Sequence, residues 1–325
     1  MNPFAPLIAD ELNLVERTLQ QTLTGSQLEE HVNTLCLHMV NAGGKRIRPT
    51  MVLLCAHALP DFDEEKDGDR SVLMAAAIEL LHTATLIHDD VIDNSTLRRG
   101  VRTINDTSGN HAAVLAGDYL FTRCFNLLRK INHMGAFAAV SDTIATLVAG
   151  ELLQLEKEGY LDLTPEDYHQ TIYCKTGALF ELSASALAIT RDNGKESLLP
   201  ALKAYGRLVG AAFQIADDNL DYSADTASLG KQVGIDLADG RITLPVILAL
   251  QQVAGADHQR LSDAIAAGDF AVVKDIITSL GTLDEAKDQA LSLAASAKAQ
   301  LQVLPDTPYR KALATLADMA VKRGN

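Results

Sequence analysis

Two short segments of the chain share the same spacing of carboxylates, D-D-x-x-D, at residues 89–93 and 217–221. On a helix, the first and last carboxylates of such a segment lie on one face, about 6 Å apart along the axis. Magnesium takes few protein ligands and keeps water or phosphate oxygens in its remaining positions. Each segment is therefore a candidate site for a divalent cation shared with a diphosphate group.

The alternative is that these acidic residues decorate a solvated helix face, which is about as common for a single D-D-x-x-D in an acidic chain. The flanking residues argue against it. Leu86 and Ile87 precede the first segment, and Phe213, Ile215 and Ala216 precede the second. A solvated face would carry Lys, Glu or Gln at such positions. The duplicated pattern therefore favours two functional rows over surface decoration.

Helical spacing extends each row toward the start of its helix. The first face carries His82, Thr85, Asp89 and Asp93, and the second carries Gly206, Gly210, Gln214, Asp217 and Asp221. The two glycines would let the second helix approach a ligand closely, although plain packing against a neighbouring helix explains them equally well.

Basic residues provide the charge that an acidic chain needs to hold an anion. Residues 43–49 read G-G-K-R-I-R-P, so flexible glycines and three cations precede a proline that breaks or begins a helix. Further basic groups occur in the segments 98–100, 175–177 and 230–231. Each of them alone is more often a solvated surface group.

Composition limits the classes of protein that this chain can represent. A formal net charge of -14 argues against a nucleic-acid binder, because there is no basic domain to offset phosphate repulsion. The four cysteines are scattered without a C-x-x-C pair, so neither a zinc ribbon nor a disulfide framework is indicated. The N-terminus lacks a basic segment followed by an apolar one, and we find no run of about eighteen apolar residues. We expect a soluble, cytoplasmic protein without an integral membrane segment.

Apolar residues recur three and four positions apart through most of the sequence, as in Leu73, Ala77, Leu80 and Ala84. This spacing is typical of buried helices, and no alternating strand pattern competes with it. We expect loops at 61–70, 191–195 and 255–257 but no linker between domains. The prediction is an all-α chain that folds as one large helical bundle, a single domain over residues 1–325.

Taken together and in this order, the motifs resemble the trans-isoprenyl diphosphate synthase family, which includes farnesyl, geranylgeranyl and octaprenyl diphosphate synthases. The resemblance covers nearly the whole chain, through residues 43–49, 79–100, 150–154, 175–177, 213–222 and 230–245. It implies the isoprenoid synthase fold with a central active-site cavity, and a homodimer. It also implies magnesium-dependent elongation of an allylic diphosphate by isopentenyl diphosphate.

The resemblance also implies a role for each matching residue. Several magnesium ions that bridge the allylic diphosphate would be bound by Asp89, Asp90, Asp93, Asp217, Asp218 and Asp221. The same diphosphate would be held by Arg98, Lys175 and Lys231, and isopentenyl diphosphate by Gly44, Lys45, Arg48, His82 and Arg99. Thr176 and Gln214 would lie beside the developing carbocation. Arg241 stands where the family usually has lysine, which keeps the charge and puts the contact in doubt.

Product length in that family is controlled just before the first aspartates, here at Ala84 and Thr85. Small residues there leave room for a growing chain, so we expect a long, octaprenyl-like product. Alternatively Ala84 only permits helix packing, and the floor of the tunnel is formed by Leu120, Phe121, Phe125 or Leu147.

Other functions remain as alternatives to a long-chain synthase. They are a short-chain farnesyl or geranylgeranyl synthase, a terpene cyclase and a noncatalytic partner subunit. A cyclase would not need a separate site for isopentenyl diphosphate, and a noncatalytic subunit would be expected to have lost its metal or diphosphate groups. Residues 223–240 are rich in Gly, Ser and Asp, which predicts a loop that orders over bound diphosphate. An ordinary connection would have the same composition.

Overall fold

The computed structural model describes residues 4–191, 198–223 and 233–322. Helices form almost all of the regular structure in these ranges, which confirms the all-α prediction. In the first half of the chain the helices are α1 Ala5–Thr22, α2 Glu30–Asn41, α3 Ile47–Ala58, α4 Asp69–Ile92, α5 Ile104–Ser108, α6 Asn110–Ile131 and α7 Met134–Glu156. A 3-10 turn, Gln27–Glu29, precedes α2.

The remaining helices complete the described part of the chain. They are α8 Pro165–Ile172, α9 Ala178–Ile189, α10 Leu198–Ser223, α11 Ile235–Ala238, α12 Leu244–Gln252, α13 Gly255–Ala266, α14 Phe270–Ser279, α15 Thr282–Gln300 and α16 Pro308–Val321. π-helical turns occupy Glu64–Gly68 and Tyr173–Gly177, and a 3-10 turn occupies Leu301–Val303.

The loop predictions need two corrections. The acidic stretch 61–70 contains the π-helical turn Glu64–Gly68, which leads directly into α4. The turn expected at 255–257 lies just before it, because Gly255 already begins α13. In both places polar residues that suggest a loop lie in the first turns of a helix, where acidic side chains are favourable. The loop expected at 191–195 falls mostly outside the described residues.

The chain divides into two compact units. The first comprises Met1–Ser141, Leu182–Leu202 and Val303–Leu313, and the second comprises Asp142–Glu181, Lys203–Gln302 and Ala314–Asn325. A single domain over residues 1–325 therefore stays a prediction.

In the first unit, α4 is the helix around which the others pack, since α1, α3 and α6 all contact it. Its sequence is apolar on nearly every side, and a helix of that kind is stable only when it is enclosed. Ala76, Ile78, Leu80 and Leu81 are fully buried. The first carboxylate row lies at the C-terminal end of this helix, so core packing fixes its position.

A short hairpin after α4 was not expected from the sequence. Its strands are β1 Leu97–Arg98 and β2 Val101–Arg102, joined by a two-residue turn in which both Arg99 and Gly100 have positive φ. Such turns match the natural twist of a hairpin. The hairpin is too short for an alternating pattern, and it presents Arg98 and Arg99 to different neighbours.

In the second unit, α12 is enclosed by α8, α13, α14 and α15. Its residues Leu244 to Leu250 are all buried, with Pro245 in the first turn, where a missing N–H breaks no helical bond. Ile215 and Tyr222 of α10 are fully buried in the same cluster. These buried residues anchor α10 in the core and thereby fix the position of the second carboxylate row.

Within the described residues, two helical stretches are long and apolar enough to cross a membrane by length and composition alone, Glu64–Ile92 and Met134–Glu156. In the first, 72% of the most apolar window is buried, as in the core helix of a soluble protein. In the second, the buried share is 22%. The sequence reading overlooked these windows, and the absence of an integral membrane segment stays a prediction.

Candidate active site

The basic loop, residues 43–46, lies in the first unit between α2 and α3. Arg99 donates a short hydrogen bond to the carbonyl oxygen of Gly43. Gly44 has φ of 142°, which favours glycine, and a Cβ atom there would lie 2.7 Å from an Arg99 nitrogen. Lys45 is exposed. The fold thus brings Gly44 and Arg99, which are predicted to share one diphosphate, into contact across a wide sequence separation.

His82 lies on α4 within the same group of cations. Burial, and then the charges of Arg48, Arg99, Arg98 and Arg46, hold its pKa well below the usual value. His82 is therefore neutral at neutral pH and can donate one hydrogen bond without adding charge. Electrostatically, Arg48, His82 and Arg99 form one cluster, as predicted for the site of isopentenyl diphosphate.

The first carboxylate row has a buried middle member. Asp89 is half-buried and Asp93 is exposed, whereas the Asp90 side chain is only 2% exposed and accepts a 2.6 Å hydrogen bond from Nε of Arg98. Burial raises the pKa of Asp90, and the Arg98 charge opposes that shift. The Asn105 side chain also donates to the backbone carbonyl of Asp90, at 3.1 Å. Arg98, expected on the allylic diphosphate, thus already holds an aspartate of the row.

The second row has the same arrangement within the second unit. Asp217 is exposed, but Asp218 is buried and accepts hydrogen bonds from Oη of Tyr168 at 2.6 Å and from Nε2 of Gln214 at 2.7 Å. Burial and the nearby charge of Asp236 raise the pKa of Asp218 to about 7. The middle carboxylate is thus fixed by neighbours on two helices.

Asp221, the last member of the second row, accepts hydrogen bonds from backbone N–H groups at the start of α11. The donors are Gly234 at 3.0 Å and Asp236 at 3.1 Å. This contact ties the row to the predicted loop 223–240, which needs a correction because Ser223 ends α10 and Ile235–Ala238 form α11. Lys231, within that loop, lies outside the described residues.

Lys175 and Thr176 lie in the π-helical turn Tyr173–Gly177, a type of distortion that is frequent at functional sites. Thr176 donates a 2.7 Å hydrogen bond to Oε1 of Gln214, so these two predicted neighbours of the carbocation are in contact. Lys175 Nζ lies 3.2 Å from Glu151 and 3.3 Å from the Gln154 side-chain oxygen. The ammonium group is therefore held in place by α7.

Ala84 is fully buried, and the Thr85 hydroxyl donates to the His82 carbonyl at 2.8 Å. Of the alternative floor residues, Leu120 is fully buried and Leu147 is buried. Phe121 packs edge-on against His88, and Phe125 packs against Phe137. The role of these residues in product length stays a prediction.

Sequence reasoning missed several residues that support the site. Tyr168 supports Asp218, and Glu151 supports Lys175. Arg241, which departs from the family pattern, was named from the sequence without a partner. It forms ion pairs with Asp236 at 3.0 Å and with Asp239 at 2.5 Å. Tyr168 and Asp218 are 50 positions apart, and no spacing rule connects residues at such a distance.

The donor set fits magnesium. Asp89, Asp93 and Asp217 are carboxylates that solvent reaches, and hard cations prefer such oxygen ligands. Asp90 and Asp218 are buried and already accept hydrogen bonds. Asp89, Asp93 and Asp217 are therefore the carboxylates most open to a metal ion, and metal binding by all six aspartates stays a prediction.

Comparison with known proteins identifies the family of this chain. The family model for polyprenyl synthetase matches residues 29–280. Octaprenyl diphosphate synthase of Escherichia coli (strain K12) is 40% identical over 296 residues, which cover 90% of each chain. A short chain isoprenyl diphosphate synthase of Methanothermobacter thermautotrophicus is 38% identical over 293 residues, which cover 88% of each chain.

A solved structure shows the same similarity in three dimensions. Polyprenyl synthase from Caulobacter crescentus CB15, complexed with calcium and isoprenyl diphosphate, superposes with a TM-score of 0.88 at 34% identity, covering 98% of this chain and 97% of that one. The family model and these relatives define the protein as an all-α prenyltransferase. The chain belongs to the polyprenyl synthetase family.

Proposed function

We propose that this enzyme condenses isopentenyl diphosphate with an allylic diphosphate and repeats the addition to make a long polyprenyl diphosphate. The observation that carries the proposal is the cluster of Arg48, neutral His82 and Arg99 beside the glycine loop. Isopentenyl diphosphate is homoallylic and forms no resonance-stabilised cation, so its diphosphate needs only to be positioned. A basic site without a carboxylate row is sufficient for that role.

The allylic diphosphate needs more than positioning, because its carbon-oxygen bond must break. Magnesium bound to the six aspartates would stabilise negative charge on the leaving diphosphate. Arg98, Lys175 and Lys231 would add positive charge to the same group. Thr176 and Gln214, already hydrogen-bonded to each other, would face the carbocation with oxygen atoms. The released diphosphate is the base that completes the new double bond.

The direct test is to incubate the purified full chain with radiolabelled isopentenyl diphosphate, farnesyl diphosphate and magnesium, and to size the dephosphorylated products. We expect incorporation that EDTA abolishes. Asp217→Asn should lower activity by about 100-fold or more, whereas Asp257→Asn, on the first turn of α13, should leave it unchanged. Failure of the wild-type protein to incorporate label would refute the proposal.

For product length we propose an octaprenyl-like chain, as in the relative from Escherichia coli. Identity alone does not decide this, since a relative that is 38% identical is a short chain synthase. Thr85 is half-buried, so Thr85→Phe should shorten the product without unfolding the protein. Ala84→Phe adds a ring at a fully buried position and should also lower stability by about 1–3 kcal/mol. A product that stops at geranylgeranyl in the wild type would contradict the long-chain proposal.

We also propose that the protein is a cytoplasmic homodimer. Support comes from α7, where Phe137, Val148, Leu152 and Leu155 are exposed although they are apolar. Exposed apolar stripes of this kind mark interaction surfaces, and a second copy would cover this one. Sedimentation of the purified protein tests the assignment, and a monomer at micromolar concentration would contradict it.

A further inference from the structure

Arg46 is the one cation of the basic loop segment to which the proposed reaction gives no role. We infer that Arg46 is a positioning residue that holds Lys45 and Arg48 in place for isopentenyl diphosphate and does not itself bind the diphosphate. This inference rests on the proposed function.

The guanidinium of Arg46 is turned inward and is already occupied. Its Nε donates to Glu16 at 2.6 Å, Nη1 donates to Glu79 at 2.8 Å, and Nη2 donates to Glu16 at 3.2 Å and to the Val40 carbonyl at 2.9 Å. The Arg46 side chain is 12% exposed. Four of its five N–H donors are therefore used within the protein, which leaves little for a phosphate.

These contacts fix the backbone on both sides of Arg46. The residue has φ of 48° and ψ of 39°, a left-handed conformation that is unfavourable for any side chain with a Cβ atom. It is also the N-cap of α3, so the helix begins at the next residue and carries Arg48 in its first turn. Lys45 directly precedes it. Holding Arg46 in this conformation therefore sets the direction of both neighbouring cations.

The partner on α4 connects the loop to the rest of the cluster. Glu79 is only 3% exposed and lies three residues before His82, so the two side chains project from one face of α4. The Arg46–Glu79 ion pair thereby sets the position of the loop relative to His82. Glu79 also offsets the positive charge of Arg46, so the diphosphate group of isopentenyl diphosphate is attracted to Lys45 and Arg48 instead.

The experiment measures the KM of each substrate separately. Arg46→Lys keeps the charge but cannot form the forked contact with Glu16 and Glu79. We expect the KM for isopentenyl diphosphate to rise about tenfold and the KM for the allylic diphosphate to change by less than about twofold. Glu16→Gln removes a charge that is 44% exposed, so the protein should fold, with a rise of about threefold in the same KM.

Glu11→Gln is the matched control. Glu11 lies on the same helix and accepts a 2.7 Å hydrogen bond from His57 of α3, so the variant also weakens a contact between α1 and α3. Its melting temperature should fall about as much as that of Glu16→Gln, with both KM values unchanged. If Glu16→Gln and Arg46→Lys change only the melting temperature, or raise both KM values equally, the inference is wrong. A wild-type protein that incorporates no label refutes the proposed function instead.

Discussion

The hydroxyl of Tyr168 donates a 2.6 Å hydrogen bond to Oδ2 of Asp218, and both side chains are buried. Arg98 bonds Asp90 in the first unit in a corresponding way. In each row, a residue outside the motif holds the middle aspartate, from eight positions away in the first row and from 50 in the second. Because a buried carboxylate without partners is unfavourable, these supports determine whether each row keeps its shape.

Tyr168→Phe should lower activity through Asp218. The hydroxyl stabilises the charged carboxylate and opposes the rise of its pKa to about 7, so removing it raises the pKa of Asp218 further. In a larger fraction of the enzyme, Asp218 is then protonated at neutral pH. We expect the acidic limb of the rate profile to move to higher pH, and the free energy of unfolding to fall by about 1–3 kcal/mol. Tyr160→Phe, at an exposed tyrosine, is the control, and matching pH profiles for the two variants would contradict the prediction.

Arg98→Gln should destabilise the protein strongly, because it leaves the charge of buried Asp90 without its partner. The loss should be about 3 kcal/mol, measured by urea denaturation. Arg102→Gln provides the comparison, since Arg102 pairs with Asp106 while its own side chain is 63% exposed. That exposed pair is screened by solvent, so its loss should be much smaller. Equal losses in the two variants would show that Asp90 is not held as described.

His82→Gln should change how stability depends on pH. The pKa of His82 is lower in the folded protein, so below about pH 6.5 the unfolded chain binds a proton that the folded protein does not. The wild type therefore loses stability as the pH falls from 6.5, by up to about 1.4 kcal/mol per pH unit from this group. The variant should lack this contribution.

The measurement for His82 is urea denaturation between pH 5 and pH 8, with His111→Gln at an exposed position as the control. The stability of His82→Gln relative to wild type should increase as the pH falls, and should not depend on pH above about 7. A constant difference across the range would be inconsistent with a neutral His82.

Gly206→Ala should destabilise α10. An added Cβ atom would lie 2.4 Å from the Phe180 carbonyl oxygen and 2.7 Å from the Glu181 Cα atom, so backbone would have to move. Alanine in an open helix would instead stabilise by about 1 kcal/mol. We expect the free energy of unfolding, measured by urea denaturation, to fall by about 2 kcal/mol. An increase in this free energy would contradict the close contact at Gly206.

The close approach at Gly206 also answers a question that helical spacing left open. Spacing placed Gly206 and Gly210 on the face of the second row and allowed contact with either a ligand or a helix. The structure shows that both glycines meet the segment 177–181, where Gly210 would bring a Cβ atom to 2.9 Å from Gly177 Cα. Helix packing is therefore the reason for both residues.

The sequence by itself determined the helical class, the two carboxylate rows and the composition of the basic loop. Those features depend on neighbours three or four positions away, since helical periodicity and motif spacing are local properties. The all-α prediction was confirmed for that reason. The hairpin at Arg98 was missed because a pair of two-residue strands has no period to detect.

Only the tertiary structure decided which aspartates are buried and what holds them. Asp89 and Asp90 are adjacent and chemically identical, yet one reaches solvent and the other lies against Arg98. The same holds for Asp217 and Asp218, the second of which lies beneath Tyr168. Burial and hydrogen bonding depend on how the elements pack, which brings Tyr168 to Asp218 from 50 positions away and folds the hairpin that carries Arg98 back onto Asp90, and helical spacing encodes neither contact.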